Sequence, residues 1–315
     1  MYCNKLTEHF VTLFDSNFLP MGLCLHNSMM EHAQPFHLWI ICMDALVERQ
    51  LRQLNLLHVS LIPLQEVETD VLLGAKIDRT QGEYCWTLTS FTPRFVFDRD
   101  ENISRVTYLD ADICFFDSPR ILLKEFEASG KDVLITEHGY APEYYQTTSS
   151  GRFCVQFMTF RRTEGGLKVM KWWQERCLEW CFFRCEDGKL GDQKYLDDWP
   201  ERFAGEVHVL RQVEKTLAPW NVRYFKTLYP LAQPVFYHFH SLRIVSTKKV
   251  LLYLGYQVGH GRDLYNSYLR ALKEALSIMR EEGMPIPVRA PNKQTFYILR
   301  VVRHVLLGKA KHASI

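Results

Sequence analysis

Short apolar runs alternate with amphipathic stretches along most of this chain, and the spacing changes from a period near two to one near 3.6 at each switch. Residues 9–14 read as a strand, Asp15-Ser16-Asn17 as a polar stop, 19–30 as an apolar-rich helix and 36–43 as a buried strand. A helix over 48–56, a strand over 58–62 and a further helix around 84–97 lead to the apolar run 105–116. After the turn signal Asp117-Ser118-Pro119 come a helix over 120–126, a strand over 132–136, a polar loop over 140–152 and a strand over 153–161. A Trp-rich helix is expected over 166–185, a short helix within 191–200, a strand over 235–240 and an amphipathic helix over 264–282. Strands alternating with helices predict an α/β fold with a mostly parallel central sheet flanked by helices, followed by a C-terminal helical extension.

The run 105–116 ends its apolar half in Asp110 and Asp112, with Ala111 between them. In an extended strand alternate side chains share a face, so the two carboxylates are expected to point the same way. A bare Asp-x-Asp occurs in many solvated loops. Here it closes a strand, and ligands of open α/β sheets bind where the strands' carboxyl ends stop. Two convergent carboxylates suit a hard divalent cation, Mg²⁺ or Mn²⁺, completed by water and substrate phosphates. His238 and His240 sit at alternate positions of the run 235–240 and are candidates for a third ligand.

Composition narrows the function classes. At 315 residues, 47% hydrophobic and 23% charged, the chain is long enough to bury a large core without staples. A formal net charge of +2 argues against a nucleic-acid-binding protein. No Gly-x-Gly-x-x-Gly or Walker loop occurs, which argues against a dinucleotide or P-loop site. Nine scattered cysteines, a polar start and no long apolar stretch point to a reducing, cytoplasmic setting. Cys177, Cys181 and Cys185 would form one stripe on the 166–185 helix; their spacing matches no common zinc or iron–sulfur signature, and buried core thiols are the expectation. The aromatic residues Trp172, Trp173, Trp180, Tyr144 and Tyr145 are read mainly as core.

From Val288 onward there are six Lys/Arg and no Asp or Glu. Arg300, Arg303, His304 and Lys311 fall near one helical face, with Phe296, Leu299, Val302 and Leu306 largely opposite. Such a basic amphipathic helix is read either as a surface helix or as a peripheral contact with the inner face of an anionic membrane.

In their order, these motifs resemble nucleotide-diphospho-sugar glycosyltransferases of the GT-A fold, close to the retaining family eight that includes glycogenin and bacterial lipopolysaccharide galactosyltransferases. The similarity runs from Val11 to Arg243 and is greatest to the branch found in bacterial surface-polysaccharide gene clusters. It implies one GT-A domain over 1–245, with a nucleotide-binding half 1–120 and an acceptor and catalytic half 121–245, and an extension 246–315. It implies a UDP-sugar donor contacted by Asp15 and Asn17 in Phe14-Asp15-Ser16-Asn17-Phe18, with Thr12 on the same strand. Asp110 and Asp112 in Tyr108-Leu109-Asp110-Ala111-Asp112 would chelate Mn²⁺ (or Mg²⁺) with His238, or His240 as second choice. Asp192-Gln193 would reach the donor sugar and its anomeric centre. Where the family reads Phe-Asn-x-Gly-Val, this chain has Phe153-Cys154-Val155-Gln156-Phe157, and the family's Lys-Pro-Trp is missing after the histidines; Arg243 or Lys248 would supply the phosphate contact instead.

The activity implied is retaining transfer of a sugar to a glycan or lipid-linked saccharide in cell-surface polysaccharide synthesis. An inverting transferase would need a carboxylate base, for which Asp192, Asp197 or Asp198 are available. The departures at Cys154 and Gln156 leave open a sugar-nucleotide-binding protein without transfer activity. A nucleotidyltransferase is disfavoured by the absence of a glycine-rich, lysine-bearing loop near the first strand.

Overall fold

The computed structural model describes residues 6–289, 301 and 303–315. Its strands are β1 (Glu8–Phe14), β2 (Phe36–Cys42), β3 (Val59–Pro63), β4 (Arg105–Leu109), β5 (Ile113–Phe115), β6 (Val133–Glu137), β7 (Phe153–Arg161), β8 (Val207–Val209), β9 (Thr216–Leu217), β10 (Phe236–His238), β11 (Arg243–Ser246), β12 (Lys249–Leu254) and β13 (Ala310–Ser314). The main helices are α1 (Leu19–His32), α2 (Ala45–Leu54), α3 (Asp70–Lys76), α4 (Gln81–Thr89), α5 (Thr92–Arg99), α6 (Arg120–Ser129), α7 (Thr147–Ser150), α8 (Glu164–Glu179), α9 (Trp199–Arg202), α10 (Val222–Leu228) and α11 (Arg262–Glu281).

Seven strands form the central sheet in the order β3-β2-β1-β4-β7-β6-β8. All neighbours run parallel except β7, which is antiparallel to both β4 and β6. The sheet is buried on both faces and separates two cores. Phe10, Leu134 and Phe157 point to one; Val11, Val133, Ile135 and Met158 point to the other. Helices α1 and α11 cover the first, and α4, α5 and α8 the second.

Local chemistry sets the element ends. Asp44 caps α2 through Val47 N and accepts Ser16 N and Oγ, both at 2.9 Å, which ties the end of β1 to the next helix. Thr80 and Glu83 form a capping box on α4. The single helix expected over 84–97 is two, because Pro93 cannot continue α4 and opens α5 instead. The helix expected over 166–185 stops at Glu179, where Trp180 turns extended. Cys177 and Cys181 are therefore buried while Cys185 is exposed, and the three thiols share no stripe. Trp173, Trp180 and Tyr144 are buried as expected and Trp172 is half-buried, whereas Tyr145, also read as core, is 68% exposed.

Beyond the central sheet, β5-β10-β9 make a small sheet and β11-β12-β13 a second. The C-terminal stretch thus carries strands as well as a helix. The apolar face of α11, from Leu264 to Met279, joins the core under α1, with Tyr268 stacked on Phe239 at 3.7 Å between ring centroids. Phe296, Leu299, Arg300 and Val302 lie outside the described residues, and Lys311, expected on a helical face, lies in β13 opposite Tyr253. Among the described residues, no helix is long and apolar enough to cross a membrane.

Phe157 joins the central sheet to the small one: its ring stacks on Phe236 at 5.6 Å, and Phe236 meets Phe115 edge-on at 6.2 Å. Phe157→Ala should cost about 3–5 kcal/mol, the usual loss for a buried Phe truncation. Urea unfolding followed by tryptophan fluorescence checks this, and a loss under about 1 kcal/mol would contradict the bridging role.

Candidate metal and donor site

β4 ends at Leu109, and the chain then turns through Asp110-Ala111-Asp112, with Ile113 N donating to Asp110 O at 3.2 Å. The two carboxylates therefore converge from a turn, not from the extended strand expected of them. Asp110 N donates to Gln156 O at 3.1 Å, which anchors the turn to β7. β5 then pairs antiparallel with β10, with His238 opposite Ile113, and Phe239 N donates to Asp112 O at 2.8 Å. This pairing delivers the imidazole. His238 Nε2 lies 3.1 Å from Asp112 Oδ1 and 3.8 Å from Asp110 Oδ2. One ligand atom from each of Asp110, Asp112 and His238 falls within 4.8 Å of the others.

His240 does not join them. β10 ends at His238, and the ring of His240 lies 5.7 Å from that of His238 and 5.5 Å from that of Trp220. Burial, reinforced by the charge of His238, pushes its pKa down to about 4.

The electrostatics of the three-residue cluster are those of a cation site. Burial opposes ionisation of Asp112, but His238, aided by His240 and Arg243, outweighs it and holds the pKa at about 2. Burial opposes charge on His238 as well, and the two aspartates reverse that and raise its pKa well above the usual value. On Asp110 burial prevails over the pull of His238 and the pKa rises, while Tyr108 OH donates to Oδ1 at 2.8 Å. The far side of the imidazole is also engaged: His238 Nδ1 and Gln156 Oε1 are 2.8 Å apart. An amide oxygen there leaves Nε2 facing the two carboxylates. Two carboxylate oxygens and one imidazole nitrogen fit a divalent cation such as Mn²⁺, and binding it would displace the proton that His238 otherwise holds.

The remaining predicted residues surround this cluster unequally. Asp192 is buried, its Oδ2 has no partner, and burial together with the charge of Asp110 pushes its pKa up to about 8. Its carbonyl accepts Trp173 Nε1 at 2.9 Å. Gln193 opens a 3₁₀ turn, and its Nε2 donates to Ser150 O at 2.6 Å. Asp15 accepts from Asn17 N and Nδ2 at 3.0 Å and from Gln81 Nε2 at 2.9 Å. The parallel register sets Val11 beside Tyr108, so Asp15 and Asp110 leave the sheet at the same edge. Thr12 is wholly buried within β1, with no partner for Oγ1. Arg243 opens β11 and its charge reaches Asp112. Lys248 lies in the turn between β11 and β12, at the opposite end of β11 from Arg243.

Gln156 and Trp220 are contacts that the sequence did not assign. Gln156 stood out only as a departure, because its partner is 82 residues away. Trp220 sits edge-on to His238 at 5.5 Å, and its Nε1 donates to His138 O at 2.7 Å. The turn 217–221 carried no sign of that role.

A carboxyl with its pKa at about 8 in the fold and near 3.8 unfolded keeps its proton where the unfolded chain has lost it. Stability contributed at Asp192 therefore falls as pH rises from about 4 to 8, by at most about 1.4 kcal/mol per pH unit. Asp192→Asn removes that slope. In metal-free protein, the variant should gain stability over wild type between pH 5 and pH 8; parallel stability curves would refute the buried, protonated carboxyl.

No family model matches the sequence. The mouse xyloside xylosyltransferase 1 superposes with a TM-score of 0.50 at 15% identity, over 75% of this chain and 98% of that one. An active-site glutamine-to-glutamate mutant of LgtC also gives 0.50, at 14% identity over 74% and 87% of the two chains. The fold is that of the GT-A glycosyltransferases. The uncharacterized protein YfnD of Bacillus subtilis strain 168 is 30% identical over 282 residues, 85% of this chain and 89% of the relative. This protein belongs to the YfnD family.

Proposed function

We propose that this protein is a metal-dependent glycosyltransferase that moves a sugar from a nucleoside-diphosphate donor, UDP-sugar first among them, to a saccharide or lipid-linked glycan. The convergence of Asp110, Asp112 and His238 where β4 leaves a GT-A sheet carries the reading. When bound there, Mn²⁺ or Mg²⁺ supplies Lewis-acid stabilisation of the leaving diphosphate.

The chain's own groups do the rest. Asp110, Asp112 and His238 hold the cation at a fixed point, which locates the diphosphate. Asp15 and Asn17, on the same sheet edge with Thr12 beneath them, contact the base and ribose. Arg243, already close to Asp112, adds positive charge to the departing phosphate; Lys248 is the more distant choice. Asp192 hydrogen-bonds a sugar hydroxyl, and Gln193 lies beside the anomeric carbon. The bond from that carbon to the diphosphate breaks, a bond to the acceptor oxygen forms, and the acceptor proton passes to the leaving phosphate. Retention of configuration fits, since burial of Asp192 disfavours the carboxylate that an inverting enzyme would need as its base. The basic residues Arg303, Lys309 and Lys311 suit an acceptor carried on an anionic membrane face in surface-polysaccharide synthesis.

Titration calorimetry of UDP into the protein tests the site. Binding should require both Mn²⁺ and Asp112, and vanish in Asp112→Ala or with chelator. With a matching UDP-sugar and acceptor, turnover should release UDP. UDP binding indifferent to metal and to Asp112 would overturn the metal assignment, and release of pyrophosphate would make the protein a nucleotidyltransferase.

A further inference from the structure

Gln156 lies at the centre of β7, wholly buried, and faces the proposed metal site across the sheet edge. A buried amide needs partners for both its ends. Here Oε1 sits 2.8 Å from His238 Nδ1, whereas Nε2 has none. One strong contact thus fixes the orientation of a side chain that is otherwise costly to bury. The backbone of the same residue accepts Asp110 N at 3.1 Å. Gln156 therefore touches two of the three metal-ligating residues, one through its main chain and one through its side chain.

We infer that Gln156 is the positioning residue of the metal site, keeping the proton on Nδ1 of His238 so that Nε2 is the nitrogen that gives up its proton to a cation between Asp110 and Asp112. The inference rests on the metal-site reading given above. Its physical basis is that a neutral imidazole carries one proton and offers one lone pair, and the hydrogen bond at the far nitrogen decides which atom ligates. An acceptor at Nδ1 commits the proton there. Without it, a neutral imidazole can keep its one proton on Nε2, bonded to Asp112 Oδ1 3.1 Å away, and leave the site closed to a cation. No competing acceptor is needed from elsewhere: Trp220 meets the His238 ring edge-on and spends its own N–H on His138 O. Cys154, two residues earlier on the same face of β7, lies within hydrogen-bonding reach of His238, but a thiol is a weak acceptor.

Two substitutions separate the roles. Gln156→Met keeps the length and removes the acceptor; Gln156→Glu keeps an acceptor and strengthens it. Mn²⁺ affinity is measured by calorimetry, and ligation by the nitrogen hyperfine coupling of bound Mn²⁺ in pulsed electron paramagnetic resonance. Gln156→Met should bind Mn²⁺ about 10–100-fold more weakly, with reduced nitrogen coupling. Gln156→Glu should bind at least as tightly as wild type with the coupling intact. In Zn²⁺-loaded wild type, ¹⁵N correlation spectra should find His238 protonated at Nδ1. A Met variant that binds within threefold of wild type with unchanged coupling would overturn the inference, as would an Nε2–H tautomer in the spectra, even if Gln156→Met failed to fold. Wild-type protein whose Mn²⁺ binding ignores Asp112 would instead overturn the metal-site reading itself, and this inference with it.

Discussion

The contact between His238 and the Asp110-Ala111-Asp112 turn is the constraint around which the carboxyl edge of this sheet is arranged. Three ionisable groups are crowded there with little water. At separations of 3–4 Å, an aspartate–imidazolium attraction is worth about 4 kcal/mol at an effective dielectric near 20. Removing each ion from water costs several kcal/mol. The attraction does not clearly exceed that cost, so the cluster is weak evidence of a role in stability. An arrangement that stability does not account for, maintained by backbone bonds from two strands, is one that binding explains.

The scaffold supplies the precision. Asp110 is held to β7 by its own N–H and by the phenol of Tyr108, and Asp112 is held to the chain after β10 through its carbonyl. Neither side chain swings freely. His238 is fixed because β10 has β5 on one side and β9 on the other. The aromatic column Phe157–Phe236–Phe115 welds that small sheet to the central one, so the distance from the aspartates to the histidine is a property of the core and not of a loop.

Much of this was legible in the sequence. Short apolar runs gave every strand of the central sheet except the short β8, since burial on both faces makes such strands almost continuously apolar. The Asp110–Asp112 pair was legible because two carboxylates following an apolar strand have few structural uses. What escaped depends on long-range geometry. Local spacing suggested an extended Asp-x-Asp, and only the reversal into β5 makes it a turn. The stripe of Cys177, Cys181 and Cys185 assumed a helix that Trp180 ends. Gln156 could be read only as a departure, because nothing in a strand sequence reports which residue of β10 it meets. His238 and His240 were equivalent on paper, and the end of β10 distinguishes them.

The charge around the turn also limits what chemistry the site permits. Asp110, Asp112 and Asp192 stand together: burial raises the pKa values of Asp110 and Asp192, and the charge of Asp112 on the first and of Asp110 on the second adds to it. His238 and Arg243 are the positive groups whose influence reaches Asp112 most directly. A diphosphate approaching this edge meets the carboxylates together with the positive His238 and Arg243. A divalent ion held by Asp110, Asp112 and His238 would replace the His238 proton with a double charge and offer a seat for phosphate oxygens. The metal requirement of the proposed transfer rests on that exchange of charge, without reference to what the sugar or the acceptor is.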